Sequence, residues 1–179
     1  MELKAFILSF AGLKQGKHQF KYEVDNTFFE NFEFEEFNSS SIVIDAQLDK
    51  RNTIMDLLLK ATGSVNVNCD VTNEPFDLAV DTSMDLVIKF GDAFNDDNEE
   101  LLILSHGDYE FNISQYVYEM LVLSMPQKRV HPGVEDGSLE SDVLDKLEEL
   151  SVSSPEENSN KEIDPRWEAL KKLKTDNNL

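Results

Sequence analysis

The sequence predicts an α+β domain built on a mainly antiparallel β-sheet or partly open barrel with one central buried helix, followed by an acidic C-terminal arm ending in a short helix. Three observations carry that prediction. Apolar and polar residues alternate with period two over several runs between residues 17 and 90, the spacing of a half-buried strand. Residues 113–123 instead place Val117, Met120 and Leu121 at helical spacing. Beyond Pro132 the composition changes, with ten Asp and Glu against two Lys in residues 133–163.

Residues 3–10 and 17–24 read as strands, with Gly12 and Gly16 in the turn between them. Asp25 or Asn26 caps a short helix through Phe28, Phe29 and Phe32. Ile42, Ile44, Ala46 and Leu48 alternate with polar neighbours, a second run follows over 54–61, and Val65 and Val67 continue it. Residues 72–75, TNEP, have turn chemistry before a further run over 76–90. An antiparallel meander explains these strands most simply, because a parallel crossover takes about a dozen residues and no helix-rich segment separates them. The acidic stretch GDAFNDDNEE, residues 91–100, reads as a loop leading to a strand at 101–104. Pro126 closes the helix over 113–123, whose few polar residues mark it as the central helix packed on the sheet.

The arm has its own punctuation. Residues 141–150 form an amphipathic helix through Leu144 and Leu147, and SVSSPEENSN, residues 151–160, reads as a flexible linker. In DPRWEALKKLK, Asp164 is a good N-cap, Pro165 suits the first helical position, and Trp167 shares a face with Leu170 and Leu173. A helix this short is marginal alone in water, so its stability must come from whatever buries Trp167. The expected organisation is therefore a β-rich domain over 1–132, an acidic linker over 133–163 and a docking helix over 164–174.

With 16 Lys and Arg against 36 Asp and Glu, a formal charge of −20, the global field repels phosphate backbones and anionic lipid and attracts basic partners. A single cysteine, Cys69, excludes an intramolecular disulfide and a thiolate-rich zinc site, and fits a reducing compartment. The apolar stretch over 5–13 is interrupted by Ser9 and Gly12 and preceded by Lys4 alone, so no secretory signal is expected. No apolar run approaches the length of a membrane-spanning helix, and a cytoplasmic location is expected.

No catalytic constellation emerges. His18, His106 and His131 are scattered without metal-ligand spacing, and no phosphate-cradling glycine loop or nucleophile elbow is present. Cys69, at a strand end, reads as a small apolar core residue. No enzyme activity, metal, cofactor or small-molecule substrate is expected. Glu119 lies in the apolar stretch 116–123, where it either faces solvent or pairs with Lys128, Arg129 or Arg166. Lys128, Arg129 and His131 break the acidic surroundings, either as a contact for phosphate or carboxylate or as a partner of the protein's own arm. Arg166, Trp167, Leu170 and Lys171 combine an apolar anchor with cations, the residue types of binding hot spots.

Three segments together resemble the bacterial YceD family of large ribosomal RNA subunit accumulation proteins: GSVNVNCDVTNEPF at 63–76, residues 113–126 with Glu119 and Pro126, and DPRWEAL at 164–170. The resemblance implies a non-enzymatic role in 23S ribosomal RNA accumulation and large-subunit assembly. Many members carry a Cys-x-x-Cys in the first segment and further cysteines after the proline, which suggests zinc; here Thr72 follows Cys69 and the later stretch reads Arg-Val-His-Pro. The resemblance marks Cys69, Glu119, Pro126, Asp164, Pro165, Arg166 and Trp167 as recurrent motif positions without a catalytic role. Taken with the assembly role that the resemblance implies, the acidity of the chain makes a basic ribosomal protein or assembly factor the expected partner, the alternative being direct contact with precursor large-subunit RNA through 128–131 and the tail helix.

Overall fold

The structure, a computed structural model, describes residues 3–98 and 100–150. It is mostly sheet, and the main sheet is mixed, with six strands. In chain order these residues form β1 (Ile7–Ser9), β2 (Gly16–Val24), α1 (Asn26–Glu30), β3 (Ser39–Lys50), β4 (Ile54–Asn68), β5 (Pro75–Gly91), β6 (Asn95–Asn98), β7 (Leu101–Ser105), β8 (Glu110–Asn112), α2 (Ser114–Leu123), α3 (Pro132–Glu135) and α4 (Asp142–Leu150). A 3-10 turn, Lys4–Phe6, precedes β1. The chain divides into two compact units at Glu140/Ser141, past the Pro132 boundary read from composition.

Strand order in the large sheet is β2-β3-β4-β5-β7-β6, and β1 pairs with β8 in a separate two-stranded ribbon. The alternation seen in the sequence sets the register. Leu48 on β3, Leu57 on β4 and Leu86 on β5 stand side by side across the sheet, and each is 1% exposed or less. A slip of one residue would turn each strand's apolar set into solvent, which is why the pairing holds over such long strands. Burying each side chain of this size stabilises the fold by about 1.5–3 kcal/mol.

Runs 54–61 and 63–68 form one strand, β4, because Gly63 lets the backbone pass close to β3. Its φ is +155°, and a Cβ there would overlap the Ser41 carbonyl oxygen and stand 2.7 Å from Ile42 Cα.

Three expectations are corrected. β1 does not form a hairpin with β2: Leu8 pairs with Phe111 on β8, more than a hundred residues away, and Phe10 stacks near Phe90 and Phe111. The apolar demand of Leu8 and Phe10 for cover outweighs sequence proximity. Residues 91–100 are not all loop, since β6 forms the sheet edge there. The meander also fails at its end, because β7 runs parallel to β5. No helix is needed for that crossover: β6 runs back one strand further out, and β7 returns in the gap, with Val87 N–H donating to Glu100 O at 2.9 Å.

The core occupies one face of the sheet. α1 lies nearest β3 and α2 nearest β5. The aromatic run after β2 packs inward as ring on ring, Phe28 on Phe6 and Phe29, Phe29 on Phe37, and Phe32 stacked on Tyr118 of α2 at 4.3 Å. α2 buries Ser114, Val117, Met120 and Leu121, while Leu123 is 83% exposed, so the helix is one-sided rather than enclosed. In the second unit, α4 is the amphipathic helix expected over 141–150, with Val143, Leu147 and Leu150 exposed.

Candidate functional site

Two places gather side chains with usable chemistry. The first is the turn between β4 and β5. Cys69 N–H donates to Glu74 O at 2.8 Å and Asn73 N–H to Cys69 O at 2.8 Å, with Asn73 in the left-handed region at φ 61°. The resulting knuckle wraps the Cys69 sulfur, which accepts from Val71 N–H at 3.4 Å and from His131 N–H at 3.3 Å. Burial pushes the Cys69 thiol up, but hydrogen bonds from the Thr72 side chain and from the His131, Thr72 and Val71 backbones outweigh it and bring it from 9.0 to about 7.

The segment after Pro126 docks on this knuckle. Asp70 N–H donates to Arg129 O at 2.8 Å, and Arg129 N–H donates to Asp70 Oδ2 at 2.6 Å. The Arg129 guanidinium reaches Glu36 Oε2 at 2.9 Å. His131 caps α3 by accepting Gly133 N–H on Nδ1 at 2.9 Å, and its ring stands edge-on to Phe76. These residues do not fit a zinc ion. The knuckle offers one sulfur already accepting backbone N–H groups, His131 Nδ1 is engaged, and among the described residues no three His, Cys, Asp or Glu side chains are grouped so that they could hold a metal ion.

The second place is a cleft of about 840 Å³ bounded by α2, β5, β7, β8 and the β6 edge. Leu102, Leu104, Phe111 and Met120 form its buried floor. Phe94, 56% exposed, and Leu123 stand at its mouth. The ionisable groups on its walls, apart from Tyr116, are Asp96, Asp108, Glu110 and Glu119; no Lys, Arg or His among the described residues lines it. Burial, with the charges of Asp96 and Glu119, pushes the Tyr116 phenol up to about 12.

The structure therefore brings Cys69, Arg129 and His131 together and leaves Lys128 exposed nearby. Glu119 belongs to the cleft instead. Its Oε1 accepts from Gln115 Nε2 at 2.6 Å, whereas Arg129 pairs with Glu36, so neither the Lys128 nor the Arg129 pairing weighed for Glu119 forms. Pro126 is exposed just beyond the end of α2. Asp164, Pro165, Arg166, Trp167, Leu170 and Lys171, with the tail helix, lie outside the described residues. Sequence reasoning missed the cleft. The one signal was Phe94, a large apolar residue inside an otherwise acidic stretch.

The model of one protein family matches residues 57–174, about two thirds of the chain; its description is large ribosomal RNA subunit accumulation protein YceD. No curated protein and no solved structure matches.

Proposed function

The chain belongs to the YceD family, and on that premise we propose that it supports accumulation of the large-subunit ribosomal RNA from the cytoplasm, without catalysis, by holding a basic ribosomal protein or assembly factor on its acidic surface. One observation carries this reading: the carboxylates greatly outnumber the cations that could neutralise them. The chain has 36 Asp and Glu against 16 Lys and Arg, and the ion pairs among the described residues engage Asp49 and Asp56 with Arg51 and Glu36 with Arg129. A polycation meets an attractive field at such a surface and gains the interactions that internal pairing leaves unused.

The tail supplies the complementary anchor in this proposal. Trp167 and Leu170, flanked by Arg166 and Lys171, have the composition of a hot spot that buries on a partner or on the precursor particle. Direct RNA contact through Lys128, Arg129 and His131 has less support, since Arg129 is held by Glu36 and His131 by Gly133.

Affinity purification of the tagged protein, with and without nuclease, tests the reading against a Trp167→Ala variant. Recovery of basic large-subunit proteins that resists nuclease and falls with the variant is the expected outcome. Recovery that depends wholly on intact RNA would transfer the role to RNA contact, and recovery of neither would remove the reading.

A further inference from the structure

The cleft beside α2 unites two properties rarely combined on a free surface. Its floor is apolar, with Leu102, Leu104 and Met120 buried, while Phe94 and Leu123 present large apolar side chains at the mouth. Its walls carry charge of one sign. Asp96, Glu110 and Glu119 face the same space, and none of them forms an ion pair among the described residues. Glu119 is held by Gln115, and Glu110 Oε2 accepts from Ser9 Oγ at 3.1 Å, so both carboxylates keep position without being neutralised. Exposing apolar side chains at the mouth costs stability that a buried arrangement would recover, and clustered carboxylates repel one another. A neutral apolar ligand would relieve only the first cost, and a free cation only the second.

We propose that this cleft is the docking groove for an amphipathic segment of a basic protein, one that seats leucine-sized side chains on the Leu102, Leu104 and Met120 floor while its lysines or arginines meet Asp96, Glu110 and Glu119. The proposal rests on the protein-binding reading above and names the surface that performs it. A helix is the suited form, because apolar residues at i, i+3, i+4 and i+7 leave the flanking positions free for cations. Burial, and after it the charges of Asp96 and Glu119, push the Tyr116 phenol up, so the same carboxylates that line the groove act on its tyrosine.

The full chain is titrated with a fluorescent synthetic peptide of leucine and lysine arranged as an amphipathic helix. A scrambled peptide of the same composition and a glutamate-for-lysine peptide serve as controls. The amphipathic basic peptide binds, the scrambled one binds at least about tenfold more weakly, and the acidic one does not bind. Asp96→Lys with Glu119→Lys weakens binding at least about tenfold, and Leu123→Asp, at a position that packs against little, weakens it severalfold with the thermal transition unchanged. Equal binding of the ordered and scrambled peptides, or unaltered binding by both cleft variants, overturns the proposal. Binding that appears only in Trp167→Ala would give the groove to a segment of this chain and overturn it equally.

A second arm, capture of purified basic large-subunit proteins by wild type and by the Asp96→Lys, Glu119→Lys variant, separates the two readings. Capture by neither removes the protein-binding function. Equal capture by both keeps that function and removes the groove.

Discussion

At the residue scale, Cys69 shows how a side chain acquires a role from its surroundings. Alone in the sequence it reads as an apolar filler, and the structure does bury it at 3% exposure. Four backbone or hydroxyl hydrogen bonds, however, favour its anion. The folded pKa lies below the unfolded one, so the stabilising contribution is fully present above about pH 9, shrinks as pH falls, and vanishes below about pH 7. Cys69→Ala should therefore lose stability relative to wild type by an amount that grows from pH 6 to pH 9, measured by denaturant unfolding at both ends. A constant difference would mean the thiol does not titrate in the fold. Gly63 is a second residue whose meaning is geometric. Gly63→Ala should cost about 2 kcal/mol or more, because the new methyl meets β3 backbone atoms that cannot move without breaking the ladder. An unchanged melting temperature would show that β3 and β4 can part at that point.

At the element scale, most strands and both longer helices were legible because their periodicity is strong. β2, β3 and β5 announce themselves by alternation, and α2 by helical spacing followed by Pro126. The start of α1 was legible to within one residue, Asp25 or Asn26, and the structure chooses Asp25 and ends the helix at Glu30, short of Phe32: Asp25 accepts from Thr27 Oγ1 at 2.5 Å, Thr27 N–H at 3.0 Å and Phe28 N–H at 3.3 Å. The Thr27 side chain is the chief cause holding the Asp25 carboxyl below its usual value; burial opposes it, and the backbone N–H groups of Phe28 and Thr27 add smaller lowering contributions. Asp25→Ala should cost about 1 kcal/mol, present above the ordinary carboxylate range and lost as pH falls through the lowered pKa. Thermal unfolding of wild type and variant across acidic pH checks it, and a gap that persists at the lowest pH would contradict the cap. β6 was illegible for a definite reason. Asn95, Asp96, Asp97 and Asn98 are all exposed, so no apolar face marks them as a strand, and only the edge of β7 recruits them.

At the scale of the whole molecule, charge and core make opposite demands. A net charge of −20 on 179 residues opposes compaction, and screening should relieve that repulsion. Raising salt from low to physiological strength should raise the unfolding temperature while weakening capture of basic partners; a fall in both would show that specific ion pairs, not repulsion, dominate stability. Composition, period and the three motif segments determined by themselves the β-rich fold, the acidity of residues 133–163 and the YceD membership, because each is written in local patterns or in the identity of the residues. The antiparallel meander of β2 to β5 was legible as well, but which strands flank it was left to tertiary structure. So were the ribbon of β1 with β8, the parallel return of β7, the meeting of Cys69 with His131 across 62 positions, and the gathering of Asp96, Glu110 and Glu119 around one cleft. Those arrangements join residues far apart in the chain. Only burial of a shared core chooses among the pairings that local pattern allows equally.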